Sequence, residues 1–288
     1  MRLKAMAKIN LGLDVLGKRE DGYHEVRMIM QTIRMYDILD IRKTRRPGIV
    51  LTTNLPFIPT DQRNLVYKAA QMLMEEFDVE EGLSIKLRKF IPVAAGMAGG
   101  SSDAAAAFVG VNRLFHLGLT EEQLMERAVK VGADVPYCIM RGTVLAEGIG
   151  EELSVLPAMP KCTVLIAKPP ISVSTKMVYE ALDSKEIVEH PDIDGILEGL
   201  QKGDLHKVAD SMGNVLEDVT IPMHPVIADI KQVMQDCGAI GAMMSGSGPT
   251  VFGLFENRAS AREAQKMIRD KGLTRQAYVT NIHNVRRK

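Results

Sequence analysis

Apolar and polar residues follow two different periods along the first half of the chain, and together they predict a mixed α/β protein. The segment Leu3–Leu16 is largely apolar with single polar side chains between, as in a strand with one partly polar face. A second extended region is predicted over Arg27–Ile41, broken by Asp37 and Asp40. Alternation over Leu83–Leu87 predicts a further strand.

Helical periodicity marks other segments of the same half. Apolar residues recur about every 3.6 residues over Asp61–Phe77. The alanine-rich run that begins at Ala104 predicts another helix. A capping box that begins at Thr120 opens a helix whose predicted end is Gly132, which leaves Asp134 in a turn before a proline.

The second half repeats this mixture after a pause at Pro157 and Pro160. We place a domain boundary there, which predicts domains at 1–158 and 159–288. Strands are predicted at Thr163–Ala167, Thr250–Phe255 and Tyr278–Ile282. Helices are predicted after Ser174, near Leu197, and over Leu205–Leu216, Val226–Met234 and Ser260–Asp270.

The composition is that of a globular protein without a strong overall charge. Hydrophobic residues make up 46% of the chain, and 36 basic side chains balance 36 acidic ones. No overall field therefore favours nucleic acid or a membrane surface. With no long apolar stretch and no signal peptide, we expect a cytoplasmic protein whose partners are small molecules or proteins.

Cysteine and histidine are too scattered to indicate a disulfide framework or a metal site. Cys138, Cys162 and Cys237 stand in apolar surroundings, which predicts buried, reduced thiols. The 6 histidines include no pair at the spacing of a zinc helix or finger. A transition metal held by the protein is therefore not expected.

The stretch Pro92–Asp103, PVAAGMAGGSSD, combines three glycines with the start of the alanine-rich helix. Glycines allow the backbone to approach a ligand, and the first turn of a helix has unpaired amides at the positive end of its dipole. These features favour a phosphate cradle. The alternative is a flexible loop before a well-capped helix, since Ser and Asp are ordinary N-cap residues.

A second glycine cluster, Ser245–Thr250, lies between two strand-like stretches. By itself it is typical of a hairpin turn. Together with the first loop, it becomes a candidate for the second wall of a ligand cleft.

Several kinds of phosphate site are excluded by what the first loop lacks. No lysine follows its glycines, so it is no Walker A loop, and the first βα turn has no G-x-G-x-x-G fingerprint. The protein-kinase strings H-R-D and D-F-G are also absent. Phosphoryl transfer to an alcohol needs a base and a cation, and Asp134 and Lys8 are the natural candidates.

Three strings resemble the motifs of the GHMP kinase superfamily of small-molecule kinases. They are A-K-I-N at Ala7–Asn10, P-x-x-x-G-x-x-G-G-S-S from Pro92, and S-G-S-G-P-T from Ser245. Two more strings, D-G-Y-H before Glu25 and G-A-D-V-P before Tyr137, are similar to one member of that superfamily over nearly the full length. The resemblance implies ATP-dependent phosphorylation of the 2-hydroxyl of 4-diphosphocytidyl-2-C-methyl-D-erythritol, in the non-mevalonate route to isoprenoid precursors.

The resemblance also implies roles for individual residues. Lys8 and Asp134 match the catalytic pair. Substrate-binding positions are matched by Asn10, Tyr23, His24, Met30, Thr175 and Tyr179. Nucleotide-binding positions are matched by Asn64 and Lys89 and by the phosphate loop Pro92, Val93, Ala94, Ala95, Gly96, Met97, Ala98, Gly99, Gly100, Ser101 and Ser102. An aromatic ring such as Tyr23 stacks well on a pyrimidine, and an imidazole can hydrogen-bond its edge.

Two positions depart from the family pattern, both with pliable apolar residues. Met30 stands where a relative has Phe, and Met97 stands where Leu is usual. Mg²⁺ is expected to arrive with ATP; no protein ligand is assigned, although Ser102 is the favoured candidate for a hydroxyl ligand. The family fold has two domains, an N-terminal α/β sandwich that resembles a ribosomal-protein domain and a C-terminal ferredoxin-like α/β domain.

Two alternatives remain open at this stage. The same fold can belong to a kinase of another small alcohol, such as mevalonate or homoserine, or to a nucleotide or metabolite sensor without turnover. Tyr23 and His24 argue against the first, because those alcohols offer no pyrimidine. The presence of both Lys8 and Asp134 argues against the second. The sequence leaves open whether the protein is a monomer or a homodimer.

Overall fold

The structure is a computed structural model and describes residues 1–185, 187 and 189–285. In chain order its elements are β1 (Arg2–Lys18), β2 (His24–Thr44), β3 (Ile49–Thr53), α1 (Leu65–Glu76), β4 (Gly82–Arg88), α2 (Gly99–Phe115), α3 (Glu121–Ala128), α4 (Asp134–Met140), β5 (Thr143–Glu147), β6 (Glu152–Val155), β7 (Thr163–Lys168), α5 (Thr175–Leu182), α6 (Ile193–Lys202), α7 (Leu205–Asp210), β8 (Gly213–Asn214), α8 (Glu217–Met223), α9 (Val226–Asp236), β9 (Gly241–Met244), β10 (Val251–Phe255), α10 (Arg258–Asp270) and β11 (Gln276–Asn281).

These elements form two compact units, and neither unit is one continuous segment. Unit 1 comprises Met1–Ala7, Met35–Val93 and Ala98–Met140. Unit 2 comprises Lys8–Arg34, Ala94–Met97 and the described chain from Arg141 onward. The strands β1 and β2 therefore contribute residues to both units. The single boundary at residue 158 stays a prediction.

Unit 1 is a sheet in the order β3, β4, β2, β1, with helices packed on it. In this sheet β4 runs antiparallel to β2 and parallel to β3. The alanine run of α2 is fully buried, because small side chains let the helix lie close to the strands. At Gly110 a Cβ atom would lie 2.4 Å from Ile41 Cδ1, so a larger residue here would have to displace the end of that side chain.

Unit 2 contains a second, four-stranded sheet in the order β11, β7, β10, β9, with antiparallel pairing throughout. Counted along the chain, that order is fourth, first, third, second, the arrangement of a ferredoxin-like domain. The prediction for the C-terminal domain is thereby confirmed. Unit 2 also contains the parts of β1 and β2 that do not belong to unit 1. There the strands are ordered β6, β5, β2, β1, β8.

The prediction that acidic residues interrupt the second strand was wrong, since β2 continues through both. Asp37 is buried there, and its Oδ1 accepts the backbone N–H groups of Phe90 and Ile91 at 2.5 and 2.8 Å. Asp40 pairs with Arg2 instead. Paired carboxylates do not break a strand, whereas unpaired ones disfavour it.

Two helix ends also differ from the predictions. The helix after Thr120 keeps its predicted capping box but ends at Ala128, and Asp134 is the first residue of α4 rather than a turn residue. A proline is tolerated in the first turn of a helix, which is where Pro136 stands. The helix predicted over Leu205–Leu216 ends at Asp210, because Gly213 pairs with Gly12 of β1 to form β8.

The cysteines are buried and, among the described residues, form no disulfide, as the sequence predicts. Burial raises the pKa of the Cys162 thiol to about 12. Within the described ranges, no helix has the length and apolar character needed to cross a membrane.

Candidate active site

The first glycine loop contributes Ala94–Met97 to unit 2, where it lies against the second glycine cluster. A Cβ atom on Gly96 would stand 2.2 Å from the backbone oxygen of Ser245, and the φ angle of Gly96 is +68°. Both facts require glycine at this position. The Ser245 hydroxyl donates to the Gly96 carbonyl at 3.0 Å. The second cluster joins the antiparallel strands β9 and β10, so it is both a hairpin connection and a neighbour of the loop.

Lys8 holds the same loop with its backbone and its side chain. Its N–H donates to Met97 O at 3.2 Å, and its ammonium donates to Gly96 O at 3.2 Å and to Asn10 Oδ1 at 2.6 Å. Lys8 and Asn10 lie two residues apart on β1, so their side chains share a face of the strand. Both are buried. Unit 2 therefore brings together Lys8, Asn10 and Gly96, three residues that the sequence analysis assigns to a site.

At the end of the first glycine loop, where α2 begins, the backbone conformation is suited to binding an anion. Ala98 precedes α2 in the left-handed conformation, with φ +53°, and no side chain caps the helix. The first helical bond is made by Ser102 N to Ala98 O at 2.8 Å. The amides of Gly99, Gly100 and Ser101 come before that bond and lie at the positive end of the helix dipole. This arrangement fits a phosphate chain.

The Ser102 hydroxyl, which the sequence offers as a magnesium ligand, is engaged with the protein itself. The Ser102 hydroxyl is buried and donates to Met6 O at 2.5 Å, so it is directed to the protein backbone. Nowhere in the described residues do three or more His, Cys, Asp or Glu side chains gather as a metal site. Magnesium that accompanies a nucleotide keeps several waters and uses the phosphates as ligands.

Lys89 and Asn64, the predicted nucleotide-binding residues, are both engaged within unit 1. Asn64 caps α1 by accepting from Val66 N at 2.9 Å. Lys89 lies between two aspartates: its ammonium donates to Asp103 Oδ2 at 2.6 Å and to Asp37 Oδ2. We call Asp37, Lys89 and Asp103 the buried cluster. It lies next to the loop exit, since a Cβ on Gly99 would be 3.4 Å from Lys89 Nζ.

Burial and the charges of the neighbouring residues act together on the pKa values of Asp103 and Lys89. Burial raises the pKa of Asp103 well above its ordinary value, and the charge of Asp37 adds to this while Lys89 opposes it. Burial alone lowers the pKa of Lys89, but the two carboxylates more than offset it, and the pKa of Lys89 is raised. Asp103 Oδ1 has no hydrogen-bond partner in the described structure. Sequence reasoning included neither Asp37 nor Asp103 in a site.

Asp134 lies in unit 1 at the start of α4 and is partly exposed. The neighbouring amide of Val135 donates to Gly132 O at 3.0 Å, so the turn before the helix is closed by the backbone. Among the residues described, no ion pair involves Asp134. Its carboxylate is therefore not committed to a structural partner.

Unit 2 has a cavity of about 490 Å³ that contains most of the predicted substrate-binding residues. Tyr23, His24, Thr175 and Tyr179 line it. The rings of His24 and Tyr179 are 4.7 Å apart at an interplanar angle of 42°. The volume is within the usual range for small-molecule sites. Met30 is buried in β2 opposite Val144 and is not among the residues that line this cavity.

Two side chains at this cavity, Lys18 and Asp183, were missed by sequence reasoning. Asp183 Oδ1 accepts from His24 Nε2 at 2.6 Å, and Asp183 Oδ2 accepts from Lys18 Nζ at 2.6 Å. We call Lys18, His24 and Asp183 the open cluster. Ser247 of the second glycine cluster is 2.8 Å from the hydroxyl of Thr175. The sequence could have indicated Asp183, because it follows Tyr179 by four residues on a predicted helix and so lies on the same face.

Family models place the chain among the GHMP kinases. The model described as the GHMP kinases N terminal domain matches residues 64–142, and the GHMP kinases C terminal model matches residues 196–273. The crystal structure of an L. major mevalonate kinase matches with a TM-score of 0.79 at 19% identity, over 99% of this chain and 97% of that one. At that identity the likeness shows the fold alone.

Other relatives are more specific. A 4-diphosphocytidyl-2-C-methyl-D-erythritol kinase of Lachnospira eligens is 56% identical over 280 residues, which cover 97% of each chain. A crystal structure of 4-(cytidine 5'-diphospho)-2C-methyl-D-erythritol kinase matches with a TM-score of 0.85 at 31% identity, over 99% of this chain and 100% of that one. The chain belongs to the 4-diphosphocytidyl-2-C-methyl-D-erythritol kinase family.

Proposed function

We propose that the protein is an ATP-dependent kinase that phosphorylates the 2-hydroxyl of 4-diphosphocytidyl-2-C-methyl-D-erythritol in the non-mevalonate route to isoprenoid precursors. Support comes from relatives of that name that align along nearly the full chain. The observation that carries the proposal is the cavity of unit 2, where aromatic rings and an imidazole line one space large enough for a small-molecule ligand.

The reaction joins the 2-hydroxyl oxygen to the γ-phosphorus of ATP. The bond from that phosphorus to the bridging β,γ-oxygen breaks, and ADP leaves. We assign Asp134 to accept or orient the hydroxyl proton and Lys8 to offset charge on the transferring phosphoryl group. Lys8 is suited to this role because its present partners are neutral oxygens, which an anion can outcompete.

We assign the triphosphate of ATP to the loop Pro92–Ser102 and to the first turn of α2. The support is the uncapped helix start together with the left-handed backbone at Ala94 and Ala98, φ +50° and +53°. Non-glycine residues are uncommon in this conformation, and residues held in it cluster at ligand sites. Magnesium enters as part of the nucleotide substrate, held by phosphates and water.

We assign the cytidine group to Tyr23, His24 and Tyr179, with Thr175 beside them. Tyr23 is 60% exposed without a ligand, which leaves its face available for stacking on a base. Buried cysteines that are not joined as disulfides in the described structure suit a reducing compartment, so we place the enzyme in the cytoplasm, as a monomer or homodimer.

The substrate assignment is tested by coupled ADP release with the diphosphocytidyl substrate, mevalonate and homoserine. We expect turnover only with the first, because the two smaller alcohols leave the pyrimidine cavity empty. Comparable turnover of mevalonate or homoserine, or no ADP release with any of the three, would contradict the proposal.

The catalytic assignment is tested by Asp134→Asn. We expect turnover to fall by about 100-fold to 10,000-fold, the usual contribution of general acid–base catalysis, while ATP affinity by calorimetry is retained. Asp229→Asn is a matched control, because Asp229 is also an acidic residue in the first turn of a helix. The control should turn over normally, and near-normal turnover of Asp134→Asn would refute the role of Asp134.

A further inference from the structure

One face of α5 carries three side chains that border the unit 2 cavity. Thr175, Tyr179 and Asp183 follow one another at intervals of four residues, so they lie in a row along the helix. Asp183 caps the C-terminal end of α5, where its backbone N–H donates to Tyr179 O at 3.0 Å. The helix end therefore fixes the position of the Asp183 side chain.

Tyr179 and Asp183 both contact the imidazole of His24, each in a different way. The Tyr179 ring lies 4.7 Å from the imidazole ring, and Asp183 Oδ1 lies 2.6 Å from Nε2. A ring contact restricts the plane of the imidazole, whereas a hydrogen bond to one nitrogen restricts rotation within that plane. Together the two contacts define one orientation of His24.

The hydrogen bond also decides which nitrogen of His24 carries the proton. Hydrogen bonds from His24 and Lys18 lower the pKa of Asp183, so its carboxylate is ionised and only accepts. His24 must then donate from Nε2. In a neutral imidazole the other nitrogen, Nδ1, is an acceptor.

Lys18 keeps Asp183 in place from the other side. Its ammonium lies 2.6 Å from Asp183 Oδ2, so each carboxylate oxygen has its own partner. A carboxylate held at both oxygens has less freedom to rotate away from His24. Lys18 also lines the cavity, on the strand that leads toward Tyr23.

We propose that Asp183 is the positioning residue for base recognition: it holds His24 as the Nε2–H tautomer and so presents Nδ1 as an acceptor for the amino group of cytosine. The inference rests on the proposed function for the identity of the base. Uracil has a carbonyl in place of that amino group, and two acceptors facing each other repel. Asp183 thus selects cytosine over uracil without touching the base.

The first experiment needs no turnover. Titration calorimetry compares CDP and UDP on the full-length protein, for the wild type, Asp183→Ala and Asp183→Asn. We expect the wild type to bind CDP about tenfold more tightly than UDP, and Asp183→Ala to lose about that factor for CDP alone, the upper value for one neutral hydrogen bond. Asp183→Asn keeps an acceptor at the same position and should restore part of the preference.

Nitrogen NMR of the ligand-free protein reads the tautomer directly. The wild type should show His24 protonated at Nε2, and Asp183→Ala a mixture of tautomers. Asp270→Ala, which removes an exposed aspartate paired with Lys266, is the control and should change neither measurement. A wild-type His24 protonated at Nδ1, or an unchanged CDP preference in Asp183→Ala, would overturn the inference.

Steady-state kinetics separates this inference from the proposed function. Asp183→Ala should raise KM for the diphosphocytidyl substrate about tenfold, while KM for ATP and kcat stay within about twofold. If the wild type prefers CDP but shows no turnover, the proposed function fails and the inference stands. If the wild type turns over and Asp183→Ala raises KM for both substrates equally, the inference fails and the proposed function stands.

Discussion

Both units contain a lysine that forms an ion pair with aspartate, but the two ion pairs differ in their exposure to solvent. In the buried cluster the side chain of Lys89 is 6% exposed, and those of Asp37 and Asp103 are 0% and 3% exposed. In the open cluster Lys18 is 56% exposed and Asp183 is 23% exposed. The same chemical pair therefore occurs once in the interior and once at the rim of a cavity.

This difference in exposure suits the buried cluster to a structural role and the open cluster to ligand recognition. A buried charge depends on its partners, because removing one leaves the other charged and without water. The buried cluster accordingly fixes the chain just before the glycine loop, through Lys89 and the amides of Phe90 and Ile91. A pair at the surface contributes little to stability, so its partners can respond to a ligand.

The strongest test of the comparison is Lys89→Met. The substitution leaves two carboxylates in the interior without a cation, so the free energy of unfolding should fall by about 3–5 kcal/mol. Urea unfolding measures the loss. Lys202→Met is the control, because Lys202 pairs with Glu198 at the surface. A loss for Lys89→Met no larger than that of the control would show that the buried cluster is not a scaffold.

A second test uses the pH dependence of stability. The folded pKa of Asp103 is raised above its ordinary value of 3.8, so above that pH the folded protein retains a proton that the unfolded chain has lost. The contribution of Asp103 is therefore fully present below the unfolded pKa and is lost as pH rises through the folded pKa. The slope is at most about 1.4 kcal/mol per pH unit.

Asp103→Asn cannot titrate and should remove this slope. Urea unfolding of both proteins at a series of pH values that rises from the ordinary pKa of 3.8 should show the wild type losing stability relative to the variant. The exposed Asp229→Asn serves as the reference and should follow the wild type. Parallel curves for the wild type and Asp103→Asn would mean that Asp103 titrates normally.

The smallest effect is expected for Lys18→Met in the open cluster. Because this pair is exposed, the free energy of unfolding should change by less than about 1 kcal/mol. The same urea titration measures it. A loss as large as that of Lys89→Met would remove the distinction between the two clusters.

Elements bounded by local signals could be predicted from the sequence. Thr120 and Ser174 begin helices where the sequence places them, since a cap depends on residues only a few positions away. The strand at Leu83–Leu87 follows from simple alternation and is extended by one residue at each end. The terminal helix and strand were also found close to their observed bounds.

Features that depend on distant partners could not be predicted in this way. Asp37 continues a strand only because residues 53 and 54 positions later supply its donors. Asp183 joins His24 across 159 positions. The motifs thus identified Lys8, His24 and the glycine loop as site residues, while their supporting partners required the folded chain.

The pairing of β1 with β8 has a consequence for synthesis in the cell. Gly12 leaves the ribosome early, but its partner Gly213 follows about two hundred residues later, a delay of about 10–40 s at ordinary translation rates. During that interval one edge of β1 has unpaired backbone groups, which are a template for other chains. We therefore expect nascent copies to become less prone to aggregation at this edge once Asn214 has left the ribosome.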